Sequence, residues 1–249
     1  MGFDTVKHQM VESEDGSFTA YSSEFQEHYH STRDGALHES LYKHVIPAFN
    51  HHAKRETLTI LDICFGLGFN TLATLYYMKQ EKIAKKVRIF SPEFDLELIQ
   101  SLESFTYPPF FEPFLPMMKA LSQEHRYEDE EISVELYIGD ARAYLRECSE
   151  EFDIVYQDAF SPSSNPLLWT KEYFDDIARL IKSDGILTTY SMALQTRLAL
   201  HENGFHIYIN SGEGYRDATL ASLSMLEGYK EVDMEHKMAC NPDVKPLYD

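Results

Sequence analysis

The chain has 249 residues, 43% of them hydrophobic and 13% aromatic, and its 22 Lys and Arg against 41 Asp and Glu leave a formal charge of −19. It is too apolar for a disordered chain, long enough for one large α/β domain or two small ones, and free of any apolar run near the roughly 18 residues that a membrane span needs. So negative a molecule repels polyanions, because nucleic-acid affinity rests largely on Lys and Arg. Cys64, Cys148 and Cys240 are odd in number and far apart. They suit neither a disulfide framework nor a CxxC metal site, and a reducing cytoplasm is the simplest setting for them. The opening residues carry Asp4, Lys7, Glu12, Glu14 and Asp15 without an apolar stretch, so no signal peptide is read there.

In chain order, residues 9–22 predict two short strands around Asp15-Gly16, a dipeptide that tolerates the positive φ of a tight hairpin turn. Residues 34–49 predict a helix, with Leu37, Leu41, Val45 and Ile46 at helical spacing and Pro47 near its end. This N-terminal hairpin and helix, 1–50, packs on a core of 51–249. Within that core strands and helices alternate: strands at 58–63, 87–90, 134–138, 153–156 and 186–190, each followed by a helical pattern. Segments 205–209 and 219–224 close the series without a helix between them. Repeated βα units with continuous apolar strands predict a Rossmann-like α/β fold, a mostly parallel sheet whose last strand runs antiparallel. An insert, 105–131, holds four prolines, many Phe and Tyr, and an acidic end. It reads either as an irregular flap or as a wall over the site.

In doubly wound sheets ligands bind at the carboxyl ends of strands, where strand order reverses. The loop after the first core strand is L-D-I-C-F-G-L-G-F-N. Gly66 and Gly68 let backbone approach a ligand and turn sharply into a helix. A dinucleotide fingerprint would have glycine where Thr71 stands. The pattern is nearer D-x-G-x-G-x-G, the S-adenosylmethionine loop of Rossmann-like methyltransferases, with Asp62 as the acid and Cys64 in place of the first glycine. Asp62 would orient the methionine ammonium, directly or through water. Glu93, after the second strand, would accept bonds from both ribose hydroxyls, whereas Asp95 reads as a helix N-cap. Asp140, after the third, would accept from the adenine amino group.

The loop after the fourth strand, D-A-F-S-P-S-S-N-P-L-L-W-T, begins with Asp158 and contains Phe160 and the only tryptophan, Trp169. Methyl transfer from a sulfonium needs an unprotonated nucleophile, and an alkylamine is mostly protonated near neutrality. Asp158 would bind the amine and help it shed a proton, and Phe160 offers a flat surface for a base. Trp169 reads as core filling.

These segments carry a specific resemblance. D-A-F-S-P-x-x-N-P-x-L-W-T, L-D-x-C-F-G-L-G-F-N-T and the upstream Y-H-S-x-x-x-G-A-L-H-E-S at 29–40 resemble the methyltransferase domain of the MnmC family, over roughly 12–225. The resemblance implies a class I S-adenosylmethionine-dependent enzyme that methylates the aminomethyl group of 5-aminomethyl-(2-thio)uridine at the tRNA wobble position. It implies a short form without the FAD-dependent oxidase domain, hence no FAD and no metal. The implied site places Glu39, Asp62, Phe65, Gly66, Gly68, Asn70, Glu93, Asp140, Ala141 and Asp158 around the cofactor, with Asp158 and Phe160 catalytic. Gly212, Gly214 and Arg216 resemble a family loop near the acceptor, with Tyr215 where a basic residue is frequent.

A tRNA partner must be reconciled with the net charge. Lys79, Lys82, Lys85, Lys86 and Arg88 cluster at the end of the first core helix, away from the catalytic face, and read as solvated surface. Weak, salt-sensitive binding of the tRNA anticodon loop, or dependence on a partner, is therefore expected. The rival readings are a small-molecule amine methyltransferase or aminopropyltransferase on the same fold, and a degenerate domain kept as a binding module.

Overall fold

The computed structural model describes residues 2–249. Strands β1 (His8–Glu12), β2 (Phe18–Ser22) and β3 (Glu27–His28) make a three-stranded antiparallel sheet, one strand more than the expected hairpin. The predicted helix over 34–49 is divided into α1 (Ala36–Ser40), a π-helical turn (Leu41–Val45) and α2 (Ile46–His51). Pro47 offers no N–H to the Lys43 carbonyl, and its ring would strike that carbonyl in an ordinary α-turn. The wider turn lets the helix pass through the proline instead of ending at it.

The core follows as β4 (Thr57–Ile63), α3 (Phe69–Gln80), β5 (Lys86–Glu93), α4 (Leu96–Ser101), α5 (Leu115–Glu124), β6 (Arg126–Glu128), β7 (Ile132–Ile138), α6 (Ala141–Glu147) and β8 (Phe152–Gln157). After these come α7 (Lys171–Leu180), β9 (Ile181–Thr189), α8 (Leu194–Glu202), β10 (His206–Asn210), β11 (Ala218–Ser222), β12 (Lys230–Glu231) and α9 (Met234–Cys240). The nine strands lie in the order β12-β10-β11-β9-β8-β4-β5-β7-β6. Strands β9, β8, β4, β5 and β7 are parallel, and β11 enters antiparallel between β9 and β10. The sequence did not suggest the short antiparallel edges β6 and β12. Helices cover both faces, and Leu58, Ile60, Leu61, Ile154 and Val155 are buried between them, as continuous apolar runs in a parallel sheet require.

Residues 105–131 form neither a loose flap nor a wall over the site. They build a 3-10 turn, α5 and β6, and Phe105, Phe111, Met117, Met118 and Leu121 are buried in the main core. The prolines fall where they cost little, in the 3-10 turn and in the first turn of α5. Lys85 also departs from the reading of a solvated surface lysine. It is 8% exposed, and its Nζ donates to the carbonyls of His52, Ala53 and Arg55 just beyond α2.

Candidate active site

Strand β4 pairs with β5 on one side and with β8 on the other, so the strand order reverses there. The loops after β4 and β8 therefore leave the sheet side by side. A cavity of about 680 Å³ opens over these strand ends. It is within the size of a pre-formed small-molecule site.

The glycine loop bends sharply because two glycines take the left-handed conformation that other residues adopt only at a cost. Gly68 has φ 76°, and a Cβ there would come within 2.8 Å of Met118 and the Phe65 ring. Gly66 has φ 55°, and its Cβ would meet the Tyr29 ring at 3.1 Å. Cys64 also has a positive φ, 64°. The position where the methyltransferase pattern has its first glycine thus keeps the glycine conformation, and a cysteine bears a cost of about 1–2 kcal/mol to adopt it. The insert braces this loop from behind, with Tyr107 Oη donating to the Leu67 carbonyl at 2.8 Å.

Glu93 ends β5 with both oxygens engaged: Oε2 accepts from Gly66 N–H and Oε1 from Asp95 N–H, each at 2.9 Å. Burial nevertheless pushes its carboxyl up. Asp95 does cap α4, accepting from Leu98 N–H at 3.0 Å, and the His8 ring bond holds its carboxyl down at about 2. Asp140 caps α6 through Ala143 N–H at 2.8 Å, which leaves its second oxygen free for the cavity it lines.

Among the residues expected around a cofactor, Glu39, Gly66, Glu93, Asp140, Ala141 and Asp158 line the cavity together with Phe160. Asp62, Phe65, Gly68 and Asn70 do not; they lie behind its wall. Asp62 is 1% exposed, and its carboxyl accepts from Thr71 Oγ1 at 3.1 Å and Asn70 Nδ2 at 3.3 Å, both at the start of α3. Burial, and then the charge of Asp158, pushes Asp62 up to about 8. Buried and bonded to Thr71 and Asn70, this carboxyl braces the turn into α3. Asn70 Nδ2 donates also to Asp158 Oδ2 at 2.9 Å and so ties the two loops together.

Burial opposes the charge on Asp158, but His44, His30 and the Asn70 bond outweigh it and hold the carboxyl below its ordinary value. The loop it begins is pinned along its length. Tyr190 Oη donates to the Ala159 carbonyl at 2.9 Å, and the Trp169 indole to that of Phe160 at 2.8 Å. Trp169 fills the core, as expected, but also fixes the residue beside Asp158. From β3, Glu27 accepts from Ser161 N–H at 3.0 Å and from the Ser161 and Ser164 hydroxyls. The Phe160 ring stacks on Phe25 at 4.6 Å. Glu27, Phe25, Tyr190 and His44 escaped the sequence reading, since nothing local in the chain marks a partner more than 30 positions away.

Arg33 and Arg216 line the cavity, and neither makes an ion pair among the described residues. Also among the described residues, no group of three or more His, Cys, Asp and Glu could hold a metal ion, and no helix is long and apolar enough to cross a membrane.

A doubly wound sheet with an acid-and-glycine loop at its switch point and acids at the neighbouring strand ends is the arrangement of an S-adenosylmethionine-dependent methyltransferase. Residues 109–224 match a family described as S-adenosyl-L-methionine-dependent methyltransferase. The crystal structure of MnmC2 from Aquifex aeolicus is similar with a TM-score of 0.85 and 30% identity, covering 99% of this chain and 80% of that one. The chain belongs to the MnmC methyltransferase family. An uncharacterized protein of Methanocaldococcus jannaschii is 31% identical over 86% of this chain. The tRNA 5-methylaminomethyl-2-thiouridine biosynthesis bifunctional protein MnmC of Azoarcus sp. is 30% identical over 88% of it. The chain spans 59% of the length of the first of these two and 36% of the second.

Proposed function

We propose that this methyltransferase acts on a primary amine, the aminomethyl group of 5-aminomethyl-(2-thio)uridine at the tRNA wobble position. The observation that carries the reading is the Asp158–Phe160 pair, held rigidly at the switch point on the cavity that Glu93 and Asp140 also line. The name of the Azoarcus relative, tRNA 5-methylaminomethyl-2-thiouridine biosynthesis protein, is in keeping with that acceptor.

S-adenosylmethionine, when bound, supplies a methyl group on a sulfonium whose sulfur leaves with the bonding electron pair. The residues fit such a molecule. Bare backbone at Gly66 allows close approach, Glu93 has lone pairs left for ribose hydroxyls, and the free oxygen of Asp140 suits an amino group. Glu39 and Ala141 complete this wall, while Asp62, Phe65, Gly68 and Asn70 hold the loop's shape from behind. Asp158 accepts an N–H of the incoming ammonium and takes its proton, directly or through water, so that the nitrogen lone pair is free to form the N–C bond. Phe160, steadied by Phe25, offers its face to the uracil ring. Most of the rate then comes from alignment, which the pinned loop secures.

The test is mass analysis of tRNA nucleosides after incubating hypomodified tRNA with enzyme and labelled S-adenosylmethionine. The expected product is 5-aminomethyluridine, thiolated or not, bearing one added methyl group. Asp158→Ala should lower turnover by about 100-fold or more while leaving cofactor affinity nearly unchanged. The acidity of the chain favours a free cationic amine as the rival acceptor. Methylation of polyamines without methylation of tRNA would establish that rival and end this reading.

A further inference from the structure

Beside Asp158 lies a histidine that the proposed reaction leaves unused. His44 stands on the π-helical turn Leu41–Val45, and its side chain is fully buried. Its Nδ1 is 2.8 Å from Thr188 Oγ1 on β9, and its ring meets that of Tyr156 edge-on at 5.7 Å. Its Nε2 has no hydrogen-bond partner among the described residues, and Asp158 Oδ1 is 3.5 Å away. A buried ring nitrogen without a partner costs about 1–3 kcal/mol. That cost is unexplained unless the nitrogen is aimed at something. The two oxygens of Asp158 are thus divided: Asn70 holds Oδ2, and His44 faces Oδ1.

We propose, on the amine-transfer reading above, that His44 is the positioning residue of Asp158: its Nε2–H is directed at Oδ1 from inside the fold, steers the carboxylate toward the cavity and keeps it anionic for the incoming ammonium. The Thr188 hydroxyl settles the ring, donating to Nδ1 so that the proton lies on Nε2. The 3.5 Å gap is long for a hydrogen bond, as catalytic contacts often are before substrate arrives. The π turn has a role in this, since such turns project residues at angles that an α-helix does not offer and recur at functional sites.

The other ionisable groups around this pair do not replace His44. Lys43 pairs with Glu39, which faces the His30 ring at 3.9 Å. Burial lowers His30, which favours its neutral form. Asp62, which shares Asn70 with Asp158 but has no histidine donor, is the carboxyl pushed up to about 8. Tyr156 Oη is engaged with Thr74 at 3.2 Å. Without His44, burial acts on Asp158 with one opposing partner fewer, and its carboxyl should move up.

The decisive variant is His44→Phe, which keeps the ring's bulk and removes both nitrogens. Turnover should fall about tenfold at pH 7, and the deficit relative to the parent enzyme should shrink to within about twofold by pH 9. A merely structural role would give the same deficit at both pH values. A constant ratio, or no loss at pH 7, overturns the proposal. Thr188→Val should shift the profile in the same direction by less, and it serves if His44→Phe does not fold. A second readout needs no substrate. Infrared spectra, assigned by subtracting Asp158→Asn, should reveal a protonated Asp158 carboxyl at pH 7 in His44→Phe and none in the parent. Identical protonation in the two overturns the proposal. If the parent enzyme methylates no tRNA, the tRNA acceptor fails while the infrared result still decides the role of His44.

Discussion

Asp62 and Asp158 share one donor, Asn70, and titrate in opposite directions. The difference lies in what else each one touches. Asp62 is buried with only Thr71 and Asn70 as donors and with the charge of Asp158 nearby, whereas Asp158 has His44 and His30 beside it. The consequence for stability can be measured. Folded Asp62 gives up its proton only near pH 8, and the unfolded residue does so at an ordinary carboxyl value. Between these limits the folded chain binds more protons. Asp62's contribution is therefore complete below the ordinary carboxyl range and is lost as pH rises toward 8. Buried Glu93 acts in the same sense. Asp158, held low, acts in the opposite sense, and its contribution is lost only in more acid solution. Denaturant titrations from pH 5 to 8 should reveal a fall of at most about 1.4 kcal/mol per pH unit per raised carboxyl. The fall should be shallower in Asp62→Asn. Parallel curves for the two proteins would contradict the protonated state of Asp62.

At the level of elements, the insert is a support away from the cavity, whereas the N-terminal sheet both lines the cavity and braces the Asp158 loop. Glu27 on β3 holds the Asp158 loop across 134 positions of chain, and its Ser161 and Ser164 bonds outweigh burial to keep its own carboxyl low. Glu27→Ala should raise amide exchange at Ser161 and lower stability by about 1 kcal/mol. It should also lower turnover more than it lowers cofactor affinity, because the bonds of Glu27 run to the loop after β8. Exchange at Ser161 equal to that of the parent would exclude this role. The same residues explain how much the sequence revealed. Alternating strands and helices, the glycine loop and the acids at strand ends are local patterns, and they predict the sheet, its switch point and Asp158. The π turn is legible only in retrospect, since Pro47 near a helix end ordinarily signals a stop. Glu27, His44 and the Trp169 bond to the Phe160 carbonyl depend on which distant segments the fold brings together. Asp62 shows the limit from the other side. Its position in the motif is as expected, but the turn into α3 supplies Thr71 and Asn70 as partners and closes it off from the cavity.

For the molecule as a whole the question is how a chain of charge −19 would hold RNA. The basic cluster near the end of α3 offers little, because Lys85 is buried on carbonyls and Arg88 pairs with Glu150. At the cavity, Arg33 and Arg216 line the wall without ion pairs among the described residues, whereas Arg142 is tied to Asp249. Local charge governs contact and total charge governs approach. Two arginines on a single-stranded loop release few counterions, so affinity should be modest. The logarithm of the binding constant should fall with the logarithm of salt with a slope of about −0.7 per phosphate contacted. Arg216→Ala and Arg33→Ala should each remove about one such contact, reducing the slope by about 0.7, and the double variant should bind with little salt dependence. Fluorescence anisotropy with an anticodon stem-loop over a salt series reads this directly. Tight binding that salt does not weaken, or slopes unchanged in both variants, would mean that the RNA is held elsewhere on the surface or delivered by a partner.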